Sequence, residues 1–352
     1  MPAFSTINTL DPWHNLAVER YFLDNLVGPP HHDVGNDHAL LVWRNSSCVV
    51  IGRHQNPWIE CDLTRMAAEA VPLVRRVSGG GAVYHDTGNT NFSFFGVDSI
   101  YNLDRQFGVI LAALASLGIS ARRNKRNDLL VGDRKMSGNA FRHTKGRSLH
   151  HGTLLVSTDL DRLTAFLASP QVVPATISSK GIRSVRSRVI NLHEVRADLT
   201  HAALLEALQA AYRAEYGGEP GAPAPGDDNP RQLALYEREL RSWEWRFGKT
   251  PTFSYRVTVP ASGQAPAAEL TVTVRHGRID TVTASSRLAP DVAGPVNAAA
   301  STVDEILRDA RFVREEVLAR GGAVRADAAR DAVTAIGDAA GPMPSARSAV
   351  QR

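Results

Sequence analysis

The chain has 352 residues, 43% hydrophobic and 22% charged, enough to bury a sizeable core and long enough to divide into two domains. Forty basic residues stand against 36 acidic ones, and a net charge of +4 is milder than a general nucleic-acid binder carries. No apolar run reaches the ~18 residues of a membrane span, and two cysteines, Cys48 and Cys61, are too few for a disulfide framework and are expected as reduced thiols.

The N-terminal stretch MPAFSTINTLDPWHN has neither the charged and apolar regions of a secretion signal nor an Arg-rich amphipathic leader, so the cytoplasm is the expected location. A strand is expected first, then a helix opened by Asp11 and Pro12, an N-cap and first-turn pair, with Leu16, Phe22, Leu23 and Leu26 on its apolar face. The polar loop Pro29 to Asp37 holds His31 and His32, which lack a second ligand pair at metal spacing and read as solvated. Two apolar runs, Leu40 to Trp43 and Cys48 to Ile51, flank Arg44 to Ser47 and predict a hairpin. Short strands are expected at Leu73 to Arg76, Ala82 to Tyr84 and Asn91 to Phe95. Phe107, Ile110, Leu111, Leu114 and Leu117 then recur at helical spacing and predict a helix from Asp104 to Leu117. Further strands are expected around Asp128 to Val131 and Thr153 to Ser157, with helices near Leu160 to Leu167 and His201 to Tyr212.

From Gly217 to Gly226 seven of ten residues are Gly or Pro, so no regular element persists there. A helix follows near Gln232 to Ser242, then WEWRFGKTP. Beyond it Phe253, Tyr255, Val257 and Val259 alternate, as do Leu270, Val272 and Val274, and His276-Gly277 predicts a turn into a strand at Arg278 to Val282. Helices over Thr302 to Ala319 and Ala326 to Ile336 complete the pattern. Strands and helices mix without a βαβ period, which predicts an α+β fold with a mostly antiparallel sheet. The expected organisation is a catalytic domain over residues 1–245, a small α+β accessory domain over 246–338, and a tail over 339–352.

Three stretches can carry chemistry. In Arg75-Arg76-Val77-Ser78-Gly79-Gly80-Gly81-Ala82-Val83-Tyr84-His85, bare glycine backbone lets N–H groups approach an anion while an Arg pairs with its oxygens. A ligand-free glycine bend fits the same letters. In Asn127-Asp128 followed by Asp133-Arg134-Lys135-Met136-Ser137-Gly138-Asn139, a Lys stands beside small residues that let a phosphate or carboxylate lie on the backbone, and a plain polar hairpin is the competing reading. In His150-His151-Gly152, histidines lead into an apolar strand. No Gly-x-Ser-x-Gly elbow or paired zinc-binding histidines occur.

The runs DPWHNLAVE, VVIGRHQNPWIEC, RRVSGGGAVYHDTGNTNFSFF, RNDLLV, DRKMSGNAFR, HHGTLL, KGIRSVRSRVINL and SWEWRFGKTPTF, in this order between about Thr6 and Phe253, closely resemble the lipoate–protein ligase A family. The resemblance implies a catalytic fold shared with biotin protein ligases and related to the class II aminoacyl-tRNA synthetase core. It implies two half-reactions: lipoate and MgATP give lipoyl-AMP and pyrophosphate, then a carrier lysine attacks the mixed anhydride. By motif, Arg76, Gly81, Ala82, Val83, Tyr84 and Lys135 match nucleotide-binding positions, with Lys135 also contacting lipoate as the catalytic cation. Ser78, Gly79, Gly80, His85, Ser137, Gly138, His151 and Gly152 match lipoate or lipoyl-AMP positions, and Asn127 and Asp128 are candidates for ribose or magnesium. The implied partners are lipoyl carrier domains of 2-oxo acid dehydrogenase complexes and the glycine-cleavage carrier protein. A monomer without nucleic-acid or membrane partners is expected. The basic cluster Lys180, Arg183, Arg186 and Arg188 becomes a candidate contact for an acidic carrier, whereas Arg122, Arg123, Lys125 and Arg126 read as a solvated face. Rival readings are a lipoyltransferase that takes an already activated lipoyl group, an octanoyltransferase working through an acyl-cysteine, and a non-catalytic lipoate- or nucleotide-binding module.

Overall fold

The computed structural model describes residues 3–26, 38–167, 177–185, 187–217, 229–261, 267–284, 290–322, 324 and 327–344. The expectations for His31, His32, Arg186, most of the Gly/Pro stretch after Gly217, and the end of the tail lie outside them. The fold is α+β, with four sheets among the described residues.

The largest sheet orders Ala3–Thr6, His38–Trp43, Asn89–Val97, Arg147–Leu155 and Asn139–Thr144. Only its first pair is parallel. All nine residues of Asn89–Val97 are buried, so both faces of this central strand are covered. Phe92 and Phe94 pack with helices Leu103–Ser116 and His201–Tyr216 through Ile110, Leu114 and Leu208. Phe95 points to the other face, against helix Pro12–Tyr21 and the second sheet. On that second face Asn91 and Ser93 occupy positions that periodicity alone reserves for apolar groups. The helix Pro12–Tyr21 starts as expected, with the Asp11 side chain accepting from Trp13 N at 2.9 Å.

The second sheet has Cys48–Ile51 at its centre, parallel to Leu73–Arg75 and antiparallel to Val83–His85. This corrects the expected hairpin, because Leu40 to Trp43 and Cys48 to Ile51 belong to different sheets. Both runs are apolar on both faces, so each needs its own flanking strands. The connector between them is anchored by buried Asn45 and by Ser46 N donating to Leu10 O at 2.8 Å. A true hairpin lies elsewhere, between Asn139–Thr144 and Arg147–Leu155. Lys145 and Gly146 take φ of 50° and 77° in its two-residue turn. The third sheet, Arg122–Arg123, Leu129–Val131 and Arg134–Ser137, presents the Lys135 motif.

The fourth sheet comprises Ile177–Ser179, Phe253–Val259, Ala268–Arg275 and Arg278–Ala284, all antiparallel. His276 and Gly277 form its expected turn, at φ of 52° and 70°. The expected helix from Thr302 to Ala319 is two helices, Pro290–Leu307 and Arg314–Gly321. Between them Asp309 has φ 62°, and residues 309–312 bond to Gly277 and Ile279, using backbone groups that a continuous helix would consume. The final helix, Asp327–Ala340, lies where the pattern from Ala326 to Ile336 predicts one and continues past Ile336. One apolar cluster runs from Val49 and Trp58 through Trp243, Phe247 and Phe253 to Val303, so the core is continuous across position 245.

Candidate active site

Arg75 and Arg76 leave the edge strand in opposite roles. Arg75 is fully buried and donates to carbonyls of Arg53, Gln55 and Arg246 at 2.7 to 2.9 Å and to Thr250 Oγ1. It ties the WEWRFGK segment to the GRHQN turn, a structural task. Arg76 turns into the glycine loop. Its Nε donates to Ser78 Oγ at 3.1 Å, Nη1 to Val50 O at 3.1 Å, and Nη2 to Gly79 O at 2.6 Å and Gly81 O at 2.8 Å. Burial lowers Arg76 to about 10, with Glu19 opposing the shift. The loop turns at Gly80, φ 88°, and a side chain on Gly52 would collide with the Gly80 carbonyl oxygen.

A chain of hydrogen bonds continues from Ser78. Its Oγ lies 2.6 Å from His151 Nε2, and His151 Nδ1 lies 2.6 Å from Glu19 Oε1. Ser93 Oγ donates to the same Glu19 oxygen at 2.6 Å and accepts from Trp43 Nε1 at 3.1 Å. Ser78 Oγ accepts from Arg76 Nε, and His151 Nδ1–H faces the Glu19 carboxylate, which only accepts. Arg76 and Glu19 are thus opposite charges joined through Ser78 and His151 inside the protein.

Lys135 approaches from the third sheet. Its backbone N donates to Arg188 O and its carbonyl accepts from Ile190 N, so residues 188–190 run beside it. Lys135 Nζ sits 2.7 Å from Asp128 Oδ1. A side chain on Gly138 would press on Nζ and Cε at 3.2 Å, which gives that glycine a steric reason. Gly152 lets the Gly138 carbonyl and Asn139 approach the central sheet.

Two joined clefts, of about 300 and 400 Å³, meet at Lys135, Val83, Gly138 and Thr153. The first has Leu16, Trp43, Val50 and His85 on walls that the second does not share, with Arg76, Gly80, Gly81, Asp128, His151 and Gly152 also lining it. The second is lined by Tyr84, Ser137, Leu155 and Leu163. Ala82 faces both. Ser184 crosses the glycine loop, its Oγ accepting from Ala82 N at 2.8 Å, and exposed Val185 borders both clefts. Of the expected site residues, Ser78 acts through His151, and Gly79 through its carbonyl to Arg76. Asn127 is turned away, its Oδ1 accepting from Arg123 Nε at 2.9 Å, while its φ of 63° shapes the turn. Tyr84 is bound to Ser47 Oγ at 2.6 Å, and burial raises its phenol.

Glu19, Asn45, Asn91 and Ser184 are not among the expected site residues. For Glu19 the available signal is its place three residues after Leu16 and three before Phe22, on the buried face of its helix. In the basic clusters, Arg183 lines both clefts and Arg126 the first, Arg188 pairs with Asp133, and Arg123 pairs with Asp104. Both cysteines are buried, and burial pushes both thiols up. A buried thiol held in its protonated form is a poor acyl acceptor, which weighs against an acyl-cysteine mechanism.

Residues 11–213 match the lipoyl protein ligase A/B catalytic domain. Lipoate-protein ligase A of Psychrobacter cryohalolentis is 44% identical over 255 residues, covering 70% of this chain and 72% of that protein. Among solved structures, P. falciparum LipL1 in complex with lipoate has a TM-score of 0.61 at 26% identity, covering 96% of this chain and 98% of its own. The bipartite lipoate protein ligase of Thermoplasma acidophilum, described with its E2 lipoyl domain, has a TM-score of 0.57 at 25% identity over 70% of this chain and 95% of that one. A lipoate-protein ligase A bound with ATP shares the fold, with a TM-score of 0.56 at 24% identity over 70% of this chain and 98% of its own. By the family match and by this level of identity to a named relative, the chain belongs to the lipoate-protein ligase A family and is a ligase.

Proposed function

We propose that the protein activates lipoate with ATP and transfers the lipoyl group to a lysine of lipoyl carrier domains, those of 2-oxo acid dehydrogenase complexes and of the glycine-cleavage system. The observation that carries this reading is the meeting of two clefts at Lys135, with Arg183 at the border of both. The first cleft, with Leu16, Trp43 and Val50 on its inner wall, suits an aliphatic acid. The wider, more apolar second cleft, past Tyr84 and Leu163, suits the nucleoside. In this arrangement the carboxylate and the α-phosphate come together beside Lys135.

The chemistry follows from charge. Two anions must meet for the acyl adenylate to form, so fixed positive charge and backbone donors aimed at the developing oxyanion lower the barrier. Lys135 supplies the point charge, exchanging Asp128 for the phosphate and the acyl oxygen. Arg76 holds the glycine loop in shape from behind. Asp128 is the carboxylate nearest this junction, and it fits a magnesium ion that enters on the triphosphate with mostly phosphate and water ligands. The ion would neutralise charge on the leaving pyrophosphate. For transfer, the carrier lysine attacks the mixed anhydride as a free amine, and Lys180, Arg183 and Arg188 would steer an acidic carrier toward the opening. Catalysis by a monomer in the cytoplasm completes the reading.

The test is lipoate-dependent exchange of labelled pyrophosphate into ATP by purified protein without carrier. Exchange that requires lipoate is expected. Its absence, in protein that still transfers lipoyl from supplied lipoyl-AMP, would replace the ligase with a transferase.

A further inference from the structure

The first cleft is lined by two buried polar groups, His85 and Asn91, that the adenylation chemistry does not use, and Asn15 and Asn45 stand behind His85. Asn15 Nδ2 faces the carbonyl oxygens of Thr9 at 3.0 Å and Arg44 at 2.7 Å, which only accept, so the backbone sets the orientation of this amide. The Asn45 atom that meets Asn15 Nδ2 at 2.9 Å is therefore Oδ1. Asn45 Nδ2 is then turned toward His85 Nδ1 at 3.1 Å and Cys48 Sγ at 3.7 Å. A donor in that place requires His85 Nδ1 to accept, which puts the proton of the neutral ring on Nε2. A doubly protonated ring would set two donors against each other. Burial, with Arg76 and His151 adding to it, also holds His85 down to about 3.

His85 Nε2 is buried and has no partner among the described residues. His85 is 4% exposed and lines the first cleft beside Trp43, the two rings meeting edge to face at 6.1 Å. Asn91 lines the same cleft, one end of its amide bonded to Asn89 at 2.9 Å and the other likewise buried without a partner among the described residues. A cleft meant only for hydrocarbon has no use for such groups, since an unpaired buried polar group, here the His85 Nε2–H, is costly. The His85 donor becomes useful when the far end of the ligand carries an acceptor. The sulfurs of a cyclic disulfide are weak acceptors, and sulfur also packs well at aromatic edges such as that of Trp43. A saturated acyl chain brings only a methyl group there.

We infer that His85, locked as the Nε2–H tautomer through Asn15 and Asn45, is a specificity-determining donor that favours acids ending in a cyclic disulfide over saturated acids such as octanoate. The inference rests on the proposed function, in which the acyl group occupies the first cleft.

Its test compares kcat/KM for lipoate and for octanoate in pyrophosphate exchange, in the wild type, His85→Phe and His85→Gln. Phe keeps a ring and removes the donor, and Gln keeps an N–H. The lipoate-to-octanoate ratio is expected to fall about fivefold or more in His85→Phe and to be largely kept in His85→Gln, the size of one weak hydrogen bond. A ratio in His85→Phe within about twofold of the wild type would overturn the inference. The ¹⁵N spectrum of wild-type protein labelled in histidine tests the lock without any variant, and an Nδ1–H or doubly protonated His85 would equally overturn it. If wild-type protein exchanges with neither acid, the proposed function fails and the specificity role fails with it, an outcome distinct from an unchanged ratio.

Discussion

Replacing Glu19 with Gln removes one buried charge while keeping the shape of the side chain. Glu19 is fully buried, and its Oε1 accepts from both Ser93 and His151 at 2.6 Å. Hydrogen bonds to a charged acceptor contribute ~1.5–3 kcal/mol and neutral ones ~0.5–1.5, so the two bonds together weaken by about 2 kcal/mol. Arg76, itself buried, also loses the carboxylate that raises its pKa, and an uncompensated buried charge adds at least about 1 kcal/mol more. The expected loss is therefore about 3 kcal/mol. Urea unfolding followed by tryptophan fluorescence reads it as a lower midpoint at unchanged slope. Lipoate-dependent exchange should also fall, because Ser78 and the glycine loop are oriented through His151. The competing effect is desolvation, since neutral isosteres of buried ions sometimes stabilise a protein. A variant as stable as the wild type, or more so, would mean that the loop carbonyls alone satisfy Arg76, and the reasoning from opposed charges would be wrong.

Lys135→Ala should reduce lipoyl adenylate formation by about a thousandfold or more. Its stability should stay within about 1 kcal/mol of the wild type, because the pair with Asp128 is partly exposed, and a folded variant with normal exchange would exclude Lys135 from the chemistry. Gly52→Ala should cost about 2–3 kcal/mol, since the new methyl group displaces the Gly80 carbonyl. Nucleotide titration calorimetry on that variant should show weakened binding, and unaltered affinity would show that the loop tolerates the shift. His85, lowered to about 3, and His150, lowered well below the usual value, are both buried neutral. The unfolded chain takes up protons on these residues below pH ~6.5 that the folded protein refuses. Their contribution is complete above that pH and is lost as pH falls, at up to ~1.4 kcal/mol per pH unit for each. Urea midpoints at pH 7, 6 and 5 check this, and a flat profile would contradict the burial of neutral rings.

The readable parts of the fold are those governed by neighbours in sequence. Asp11 and Pro12 open a helix because the cap and the fixed proline φ act within one turn. The alternation from Phe253 to Val259 and the His276-Gly277 turn are equally local. Pairing between distant segments is not readable in this way, which is why Leu40 to Trp43 and Cys48 to Ile51 look like a hairpin in the sequence. An apolar run states that a strand is buried on both faces, but not which strands bury it.

The site follows the same division. The glycine loop and the Lys135 motif stand out because bare backbone and a lysine among small residues are unusual over a few positions. Glu19, Asn91 and Asn45 are single polar residues inside or beside otherwise apolar elements, and each looks like an ordinary surface position until the opposing element is known. Asn91 illustrates the point: in NTNFSFFGV it alternates with Phe92 and Phe94, as a strand with one wet face would, yet all nine residues are buried. A polar side chain on the dry face of a central strand must be satisfied by another element or by a ligand. Asn89 bonds one end of the Asn91 amide, the other end has no partner among the described residues, and on the proposed reading it faces the acyl group. On that reading, the buried face carries the information about specificity, while the loops carry the information about reaction type.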